Sequence, residues 1–446
     1  MIVRNKAHLD AFGLPDMDML RGILQERDRD LSRMRKLRRV YEMHHDVERR
    51  QRESGAPNAI MQHDFPGYIV SVASGYLLGE AVRYEGEQIE QLTQIFAEND
   101  VDSVDQELAE HASVYGRGVE IIYTDEQSEI RSAALDPMEA FVVYDDTVQR
   151  APMLGVRVVP LLNALGRRTG WAVDVYGETM TAHYEGATMG ALHRTHEPAA
   201  HNFSGVPIVE YWNNDREEGD FERVITLIDG YDSVESDRAN DKQQFTNAFL
   251  ALTGASGIAE DDDDESAAHT GTGRVLALPD GSARAEWIVK PAVEADTQIL
   301  AKAIAADIHK FSGIPDMSDE NFAGNTSGVA MEYKLFGLKQ LTRRKERWFR
   351  EGLRTRIRRY SEYLYILHGA RIDPAKVRIV FTRGMPVNNL ELAQTLGALS
   401  NIVPTRQLLE QVPFVENAQE SYDALMEESR ARARDSYLPY TGMSDG

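Results

Sequence analysis

Hydrophobic positions in the first part of the chain recur at helical spacing. Between Asp16 and about His44, Leu20, Leu24, Leu31, Met34, Leu37 and Tyr41 share one side, while Arg29, Arg33, Arg35, Lys36, Arg38 and Arg39 fill the other. The spacing predicts an amphipathic helix with a solvated basic face, and nucleic-acid contact is the sharper reading of that face. Residues 53–58 (ESGAPN) break the pattern. A second helical stretch follows over 65–78, where Ser71, Ala73, Ser74 and Gly75 suit close packing. From Gly118 the period changes to two. Val119, Ile121 and Tyr123, then Ile130, then Phe141 and Val143 predict short strands, as do residues 156–159, 171–176, 180–184 and 208–212. Turns fall at 125–128 and 145–147. A β-rich domain of meandering hairpins is expected over about 116–213.

Helical periodicity returns at Phe221, with Val224, Ile228, Tyr231 and Val234 on one face and Asp229, Asp232, Glu235, Asp237 and Asp241 largely elsewhere. Residues 254–273 are low-complexity and acidic, which predicts a mobile loop. Short apolar stretches (249–252 and 275–278) flank it, and 287–289 reads as a strand. Pro291 sits where a first helical residue belongs, because its missing N–H would be unsatisfied there anyway. The helix it opens carries Val293, Leu300, Ile304, Ile308 and Phe311 and ends near 312–315. After a polar loop, one helix of about forty residues is expected over 328–368, with Leu335, Leu338, Trp348, Phe349, Leu353, Ile357, Tyr360 and Leu364 as its buried stripe. A strand at 377–382 and helices at 389–403, 405–409 and 418–432 complete an α+β chain.

Composition narrows the function. The 446 residues suggest two to four domains, and a formal net charge of −23 argues against a protein that coats nucleic acid by bulk positive charge. Cysteine is absent, which excludes disulfides, thiolate metal ligation and thiol catalysis. Hydrophobic residues at 42% and charged residues at 27% fit a chain with a real core. The apolar stretch at 68–82 is interrupted by Ser and Gly and is shorter than the roughly 20 residues a bilayer requires. No signal peptide is apparent, so an intracellular protein with no membrane association is expected.

The candidate catalytic and metal sites fail on geometry. His196 and His201 are five residues apart, which places them about 140° apart on a helix, and Pro198 interrupts it. Adding His193 gives only a conceivable metal cluster. Asp261, Asp262, Asp263 and Asp264, followed by Glu265, lack the alternating ligands and central Gly of an EF-hand loop and read as a solvated acidic tip. No dinucleotide fingerprint, P-loop or nucleophile elbow is present. Neither catalytic residues, nor a metal, nor a cofactor is expected.

Three segments carry a family resemblance. HDFPGYIVSVASGYLLGEAVRY (63–84), VITLIDGYDSVESDRANDKQQF (224–245) and FSGIPDMSDENFAGNTSGVAMEYKLFGL (311–338) resemble segments of the portal proteins of tailed double-stranded DNA bacteriophages, of the siphophage type. They look like that family's N-terminal signature, its first stem helix, and its channel loop with the start of the long helix behind it. The likeness extends from about residue 20 to 430. It implies a ring of about twelve subunits at one capsid vertex, with DNA passing along the axis. It also implies a portal-type fold. Residues 1–220 with 328–386 would form a β-rich wing with a long helix, 221–246 and 291–315 paired stem helices, and 247–290 a small α/β clip. Residues 316–327 would be a tunnel loop, 387–432 a helical crown and 433–446 a disordered tail. The implied partners are further copies of the chain, double-stranded DNA, the terminase large subunit, a head–tail adaptor, and the major capsid and scaffolding proteins. The implied locations are the virion vertex and, during assembly, the host cytoplasm.

Within that frame, a channel that moves DNA should not grip it, and net negative charge serves this by repelling phosphates. The groups expected to touch DNA are few: Lys302, His309 and Lys310 on the second stem helix, and Asn321, Phe322, Asn325 and Thr326 in the loop. Asp261 to Asp264 would belong to the partner-docking clip. Residues 341–360 carry nine basic side chains against Glu346 and Glu351, and Arg343, Arg344, Arg347 and Arg350 are expected to bridge to acidic groups of a neighbouring subunit. Two other classes stay open: a nucleic-acid-binding scaffold that is not a portal, and a metal-dependent nuclease built on the acidic run.

Overall fold

A computed structural model describes residues 1–52, 57–245, 249–253, 275–278, 284–288, 294–318, 328–383, 389–412, 415 and 417–436. In chain order its elements begin with β1 (Ile2–Arg4), α1 (Met17–Tyr41), α2 (Phe65–Leu77), β2 (Arg83–Glu85), α3 (Glu90–Glu98) and α4 (Val101–Tyr115). Strands follow: β3 (Arg117–Thr124), β4 (Ile130–Leu135), β5 (Ala140–Asp145), β6 (Pro152–Leu162), β7 (Arg168–Tyr176), β8 (Met180–Gly186), β9 (His193–Arg194), β10 (Ala199–Ala200) and β11 (Ile208–Trp212). Next come α5 (Ile225–Phe245), β12 (Phe249–Thr253), β13 (Val275–Leu278), β14 (Arg284–Ile288) and α6 (Glu294–Ser312). The last elements are α7 (Gly328–Lys334), α8 (Phe336–His368), β15 (Arg378–Val380), α9 (Asn389–Leu399), α10 (Thr405–Leu409) and α11 (Ala418–Ser436). The chain divides into two compact units, Met1–Ser318 with Leu335–Gly384, and Asp319–Lys334 with Met385–Gly446. The second unit is helical among the described residues, and α10 packs on α11 within it.

In the first unit the strands form four sheets among the described residues. The largest runs β1-β5-β6-β7-β8-β10, with β9 also on β8; β1 joins β5 in parallel and the other pairs are antiparallel. Alternate residues Phe141 and Val143, Leu154 and Val156, Val173 and Val175, Ala182 and Tyr184 turn one face into a core against α1. Helix α1 starts where the Asp16 carboxylate accepts the Met19 N–H (2.7 Å), and it buries Leu20, Ile23, Leu24, Leu31, Met34 and Leu37. The β-rich region is not one meander. β3 leaves it to lie between β11 and β4 in a separate sheet, while the predicted hairpin order holds from β5 to β8. In a smaller sheet β12 lies between β13, parallel to it, and β14, antiparallel to it.

A buried salt-bridge network ties α8 to this framework. Arg356 is fully buried and donates to Asp105 Oδ1 (2.6 Å) on α4 and Glu120 Oε1 (2.7 Å) on β3. Tyr211 of β11 donates to the other Glu120 oxygen (2.6 Å), and its ring lies under the guanidinium at 5.5 Å. That ring also packs over Gly352, where an added Cβ would meet a ring carbon at 2.5 Å, so the glycine lets sheet and helix approach closely. Lys345 and Arg356 lie about 20° apart around the helix. Lys345 binds Asp220 and donates to Ser113 Oγ (2.5 Å) on α4. Asp105 and Ser113 therefore occupy positions on the inward face of α4 that apolar residues would otherwise fill. Residues 90–115, for which the sequence predicts no element above, form α3 and α4, which bury Leu92, Ile95 and Phe96 and Val101, Leu108, Ala109 and Ala112.

Two further readings are corrected. The long helix is not one run from 328: Leu335, at φ −85° and ψ 0°, separates α7 from α8. The apolar stripe continues through buried Leu335 and Leu338, so periodicity carries no sign of the break. The final helix runs on to Ser436.

Burial pushes the Asp105 carboxyl up to about 6 despite the guanidinium beside it, so the network is stable only while Arg356 compensates it. Arg356→Leu is therefore expected to cost about 3–5 kcal/mol in urea unfolding, because two buried carboxylates lose their cation. Arg356→Lys should recover only part of this loss, since an ammonium cannot reproduce the forked contact.

Candidate functional site

Helices α5 and α6 form a pair. Phe65 stands edge-on both to Tyr231, early in α5 (5.2 Å between centroids), and to His309, late in α6 (5.9 Å), so the two helices run antiparallel. Read from its spacing as lying off the apolar face, Asp232 is fully buried, as are Ser236 and Asn240. These three residues, four apart on one helical row, hold the segment 57–63. Asn240 Oδ1 accepts the Ala59 N–H (2.6 Å) and its amide donates back to Ala59 O (3.3 Å). Ser236 Oγ accepts from Met61 N (2.9 Å) and donates to Met61 O (3.4 Å). Asp232 Oδ1 accepts from His63 N (3.0 Å). Four helical residues rise about 6 Å and two extended residues about 6.6 Å, so every second amide of the segment meets the next side chain of the row. The signal is present in the sequence as Asp, Ser and Asn at a spacing of four. It is missed when polar residues are assigned to solvent by default.

Asp232 also anchors two histidines. Its Oδ1 receives His63 Nδ1 (2.9 Å), and its Oδ2 receives His45 Nδ1 (2.5 Å) just beyond α1. The second nitrogen of His45 faces the Val40 carbonyl at 3.1 Å. Acceptors on both sides of the ring require both nitrogens to donate, which is the imidazolium. Burial alone would lower the His45 pKa, but the hydrogen bond and charge of Asp232 outweigh it and hold it above the ordinary value. At the far end of the pair, α6 stops at Gly313 (φ +75°), and His309 Nδ1 donates to Ile314 O (3.0 Å). Tyr68 of α2 then fixes the next residues, donating to Pro315 O (2.8 Å) and accepting from Met317 N (2.7 Å).

The predicted site residues thus separate. Lys302 and Lys310 are exposed on α6, as are Ile299, Leu300 and Phe311, whereas His309 is half-buried and serves the helix end. Asn321, Phe322, Asn325, Thr326 and Asp261 to Asp264 lie outside the described residues, as does Pro291. Of the nine basic residues at 341–360 of α8, Lys345, Arg356 and Arg359 are buried inside the chain, Arg359 donating to the Ser204 and Val206 carbonyls. Arg350 pairs with Glu346 (2.6 Å), donates to Ile379 O (2.8 Å) and lies over the Phe381 ring (5.2 Å). Arg343, Arg344 and Arg347 are exposed and have no partner among the described residues. Among the described residues no group of three His, Asp or Glu side chains could hold a metal, and no helix is long and apolar enough to cross a membrane.

The Asp232 cluster makes a test with a definite sign. A raised His45 pKa adds stability that is complete below the ordinary value near 6.5 and is lost as pH rises through the folded value. His45→Gln should therefore cost more at pH 6 than at pH 9 in chemical unfolding. An equal cost at both would mean a neutral ring. Asp232→Ala should also raise hydrogen exchange at the amides of Ala59, Met61 and His63, since the row that holds them loses its first member.

The family model described as phage portal protein, SPP1 Gp6-like, matches residues 20–435. The portal protein of Bacillus phage SPP1 is 25% identical over 450 aligned positions, covering 93% of this chain and 86% of that protein. The portal protein of Clostridium phage phiCD119 is also 25% identical, over 53% of this chain and 52% of that protein. With a match that takes in β2 to β15, the α5–α6 pair and α8, this chain belongs to the SPP1 Gp6-like family of phage portal proteins.

Proposed function

We propose that copies of this chain close into a ring of about twelve at one vertex of the phage head and that double-stranded DNA passes along the ring axis during packaging and ejection. The observation that carries this reading is the family match over residues 20–435, which takes in the α5–α6 pair. A second observation supports it. Leu300 and Phe311, 51% and 59% exposed, fall about 20° apart around α6 and leave an apolar sector uncovered in the single chain. A neighbouring copy would bury that sector. In this reading 221–246 and 291–315 are the stem, 247–290 the clip, 316–327 the tunnel loop, 387–432 the crown, and 1–220 with 328–386 the wing.

The charge distribution suits the role. With a net charge of −23, the ring repels DNA phosphates and avoids a tight counterion-release complex. Lys302, Lys310 and the loop residues Asn321, Phe322, Asn325 and Thr326 supply brief contacts. The outward Arg343, Arg344 and Arg347 bind acidic groups of the next subunit, while Arg350 stays with Glu346 in its own chain. The clip, with Asp261 to Asp264, receives first the terminase large subunit and then the head–tail adaptor. The capsid and scaffolding proteins surround the wing.

Purified protein imaged end-on should show closed rings with a central hole, and a stable monomer across a wide concentration range would contradict the reading. Shortening 318–325 to a tight turn should leave the rings intact yet reduce DNA packaging or the retention of packaged DNA. Normal packaging and retention would remove the channel role of the loop. Replacing Asp261 to Asp264 by Ser should also preserve the ring, while any loss of motor docking should shrink with added salt.

A further inference from the structure

The apolar stripe of α1 contains one cation. Arg27 follows Leu20, Ile23 and Leu24 and precedes Leu31 on the buried side, and it is itself only 6% exposed. It lines a cavity of about 420 Å³ formed by α1, β1, β5, the start of β3 and the turn at Glu217. One of its terminal nitrogens donates to the Met138 carbonyl, while its Nε, buried, has no partner. The nearest carboxylate, Asp28, is 3.7 Å away and largely exposed. Arg117, 7% exposed, lines the same cavity and also has an unpartnered Nε. Arg29, exposed, adds a third guanidinium at the wall, with no partner among the described residues.

The carboxylates around the cavity are committed elsewhere. Glu26 pairs with Arg4 (2.9 Å), Glu217 with the Met1 ammonium (2.7 Å), and Asp30 with Arg33 (3.4 Å) and Arg117 (3.1 Å). Arg33 is fully occupied by Glu222 and the Tyr115 and Glu217 carbonyls. Arg29 has no ion-pair partner among the described residues, and Arg27 has only the longer contact with Asp28 (3.7 Å). Burial lowers the Arg27 pKa to about 10, with Arg35 and Arg117 adding to it and Asp28 and Glu139 opposing it.

From this geometry we propose that the cavity binds a small oxyanion of the phosphate class, held by the guanidinium groups of Arg27 and Arg29. Guanidinium groups match such an anion because their planar forks present paired donors to adjacent oxygens. The site stands apart from the DNA-channel reading, because none of its residues belongs to α5, α6 or the loop, and either can fail without the other.

Isothermal titration of the full chain with inorganic phosphate, against sodium chloride at equal ionic strength, tests it. The expected result is saturable binding at one site per chain with a dissociation constant at or below about 1 mM. Arg29→Gln, an exposed position that leaves the fold intact, should weaken it about tenfold, the scale of a lost charge-assisted hydrogen bond. Heats equal to the chloride control, saturation by acetate but not phosphate, or wild-type affinity in Arg29→Gln would each overturn the site. A folded Arg27→Met chain that still binds phosphate as wild type does would overturn it equally.

Discussion

A single guanidinium decides how the first compact unit goes together. Arg356 sits where α4, β3, β11 and α8 meet, and each of the other three elements gives it a partner: Asp105, Glu120 and the face of Tyr211. Neither the guanidinium nor the two carboxylates can be buried alone, because an ionised side chain in a low-dielectric interior loses several kcal/mol of hydration. Assembly is therefore close to all-or-none in this region. α8 must dock with Arg356 in register, and that register simultaneously brings Lys345 to Asp220 and Ser113, which lie about three helical turns away along α8. An apolar interface of equal area would tolerate sliding by a turn. The paired charges do not, which makes a specificity argument more apt here than a stability one.

The same economy of polar groups recurs on α5. Asp232, Ser236 and Asn240 form a fully buried polar row, yet every one of them is satisfied by the backbone of segment 57–63. The row fixes the segment leading into α2, and α2 in turn presents Tyr68 to the residues after α6. A chain with a net charge of −23 places a few of its cations inside, Arg27, Arg117, Lys345, Arg356 and Arg359 among the described residues. For a protein in the portal family this is a workable arrangement: inward arginines hold the subunit, and the surface as a whole does not attract phosphate.

The legible part of the fold is the part in which hydrophobicity and burial agree. Helices α1 and α2 and strands β5 to β8 follow directly from their periods of 3.6 and 2, and the buried stripe of α8 from Leu338 to Leu364 is readable as well. Reading fails where polar residues are inside. Asp105 and Ser113 stand on the buried face of α4, and Asp232 is placed off the buried face of α5 because its partners lie more than 160 residues earlier. The split of the β region into two sheets depends on β11 returning to β3, a long-range pairing that local turn signals cannot report. Among the candidate site residues, the sequence distinguishes basic from acidic but not inward from outward, so Lys345 and Arg356 read the same as Arg343 and Arg347.

That division of α8 into inward and outward charge is the central physical claim, and one experiment addresses it directly. Arg343, Arg344 and Arg347 are reversed together to Glu, and the protein is measured by mass photometry and by urea unfolding of the dissociated chain. The predicted result is a shift from ring mass to single-subunit mass, with chain stability changed by no more than about 0.5 kcal/mol, as for exposed residues without partners. Rings that persist unchanged would contradict the claim.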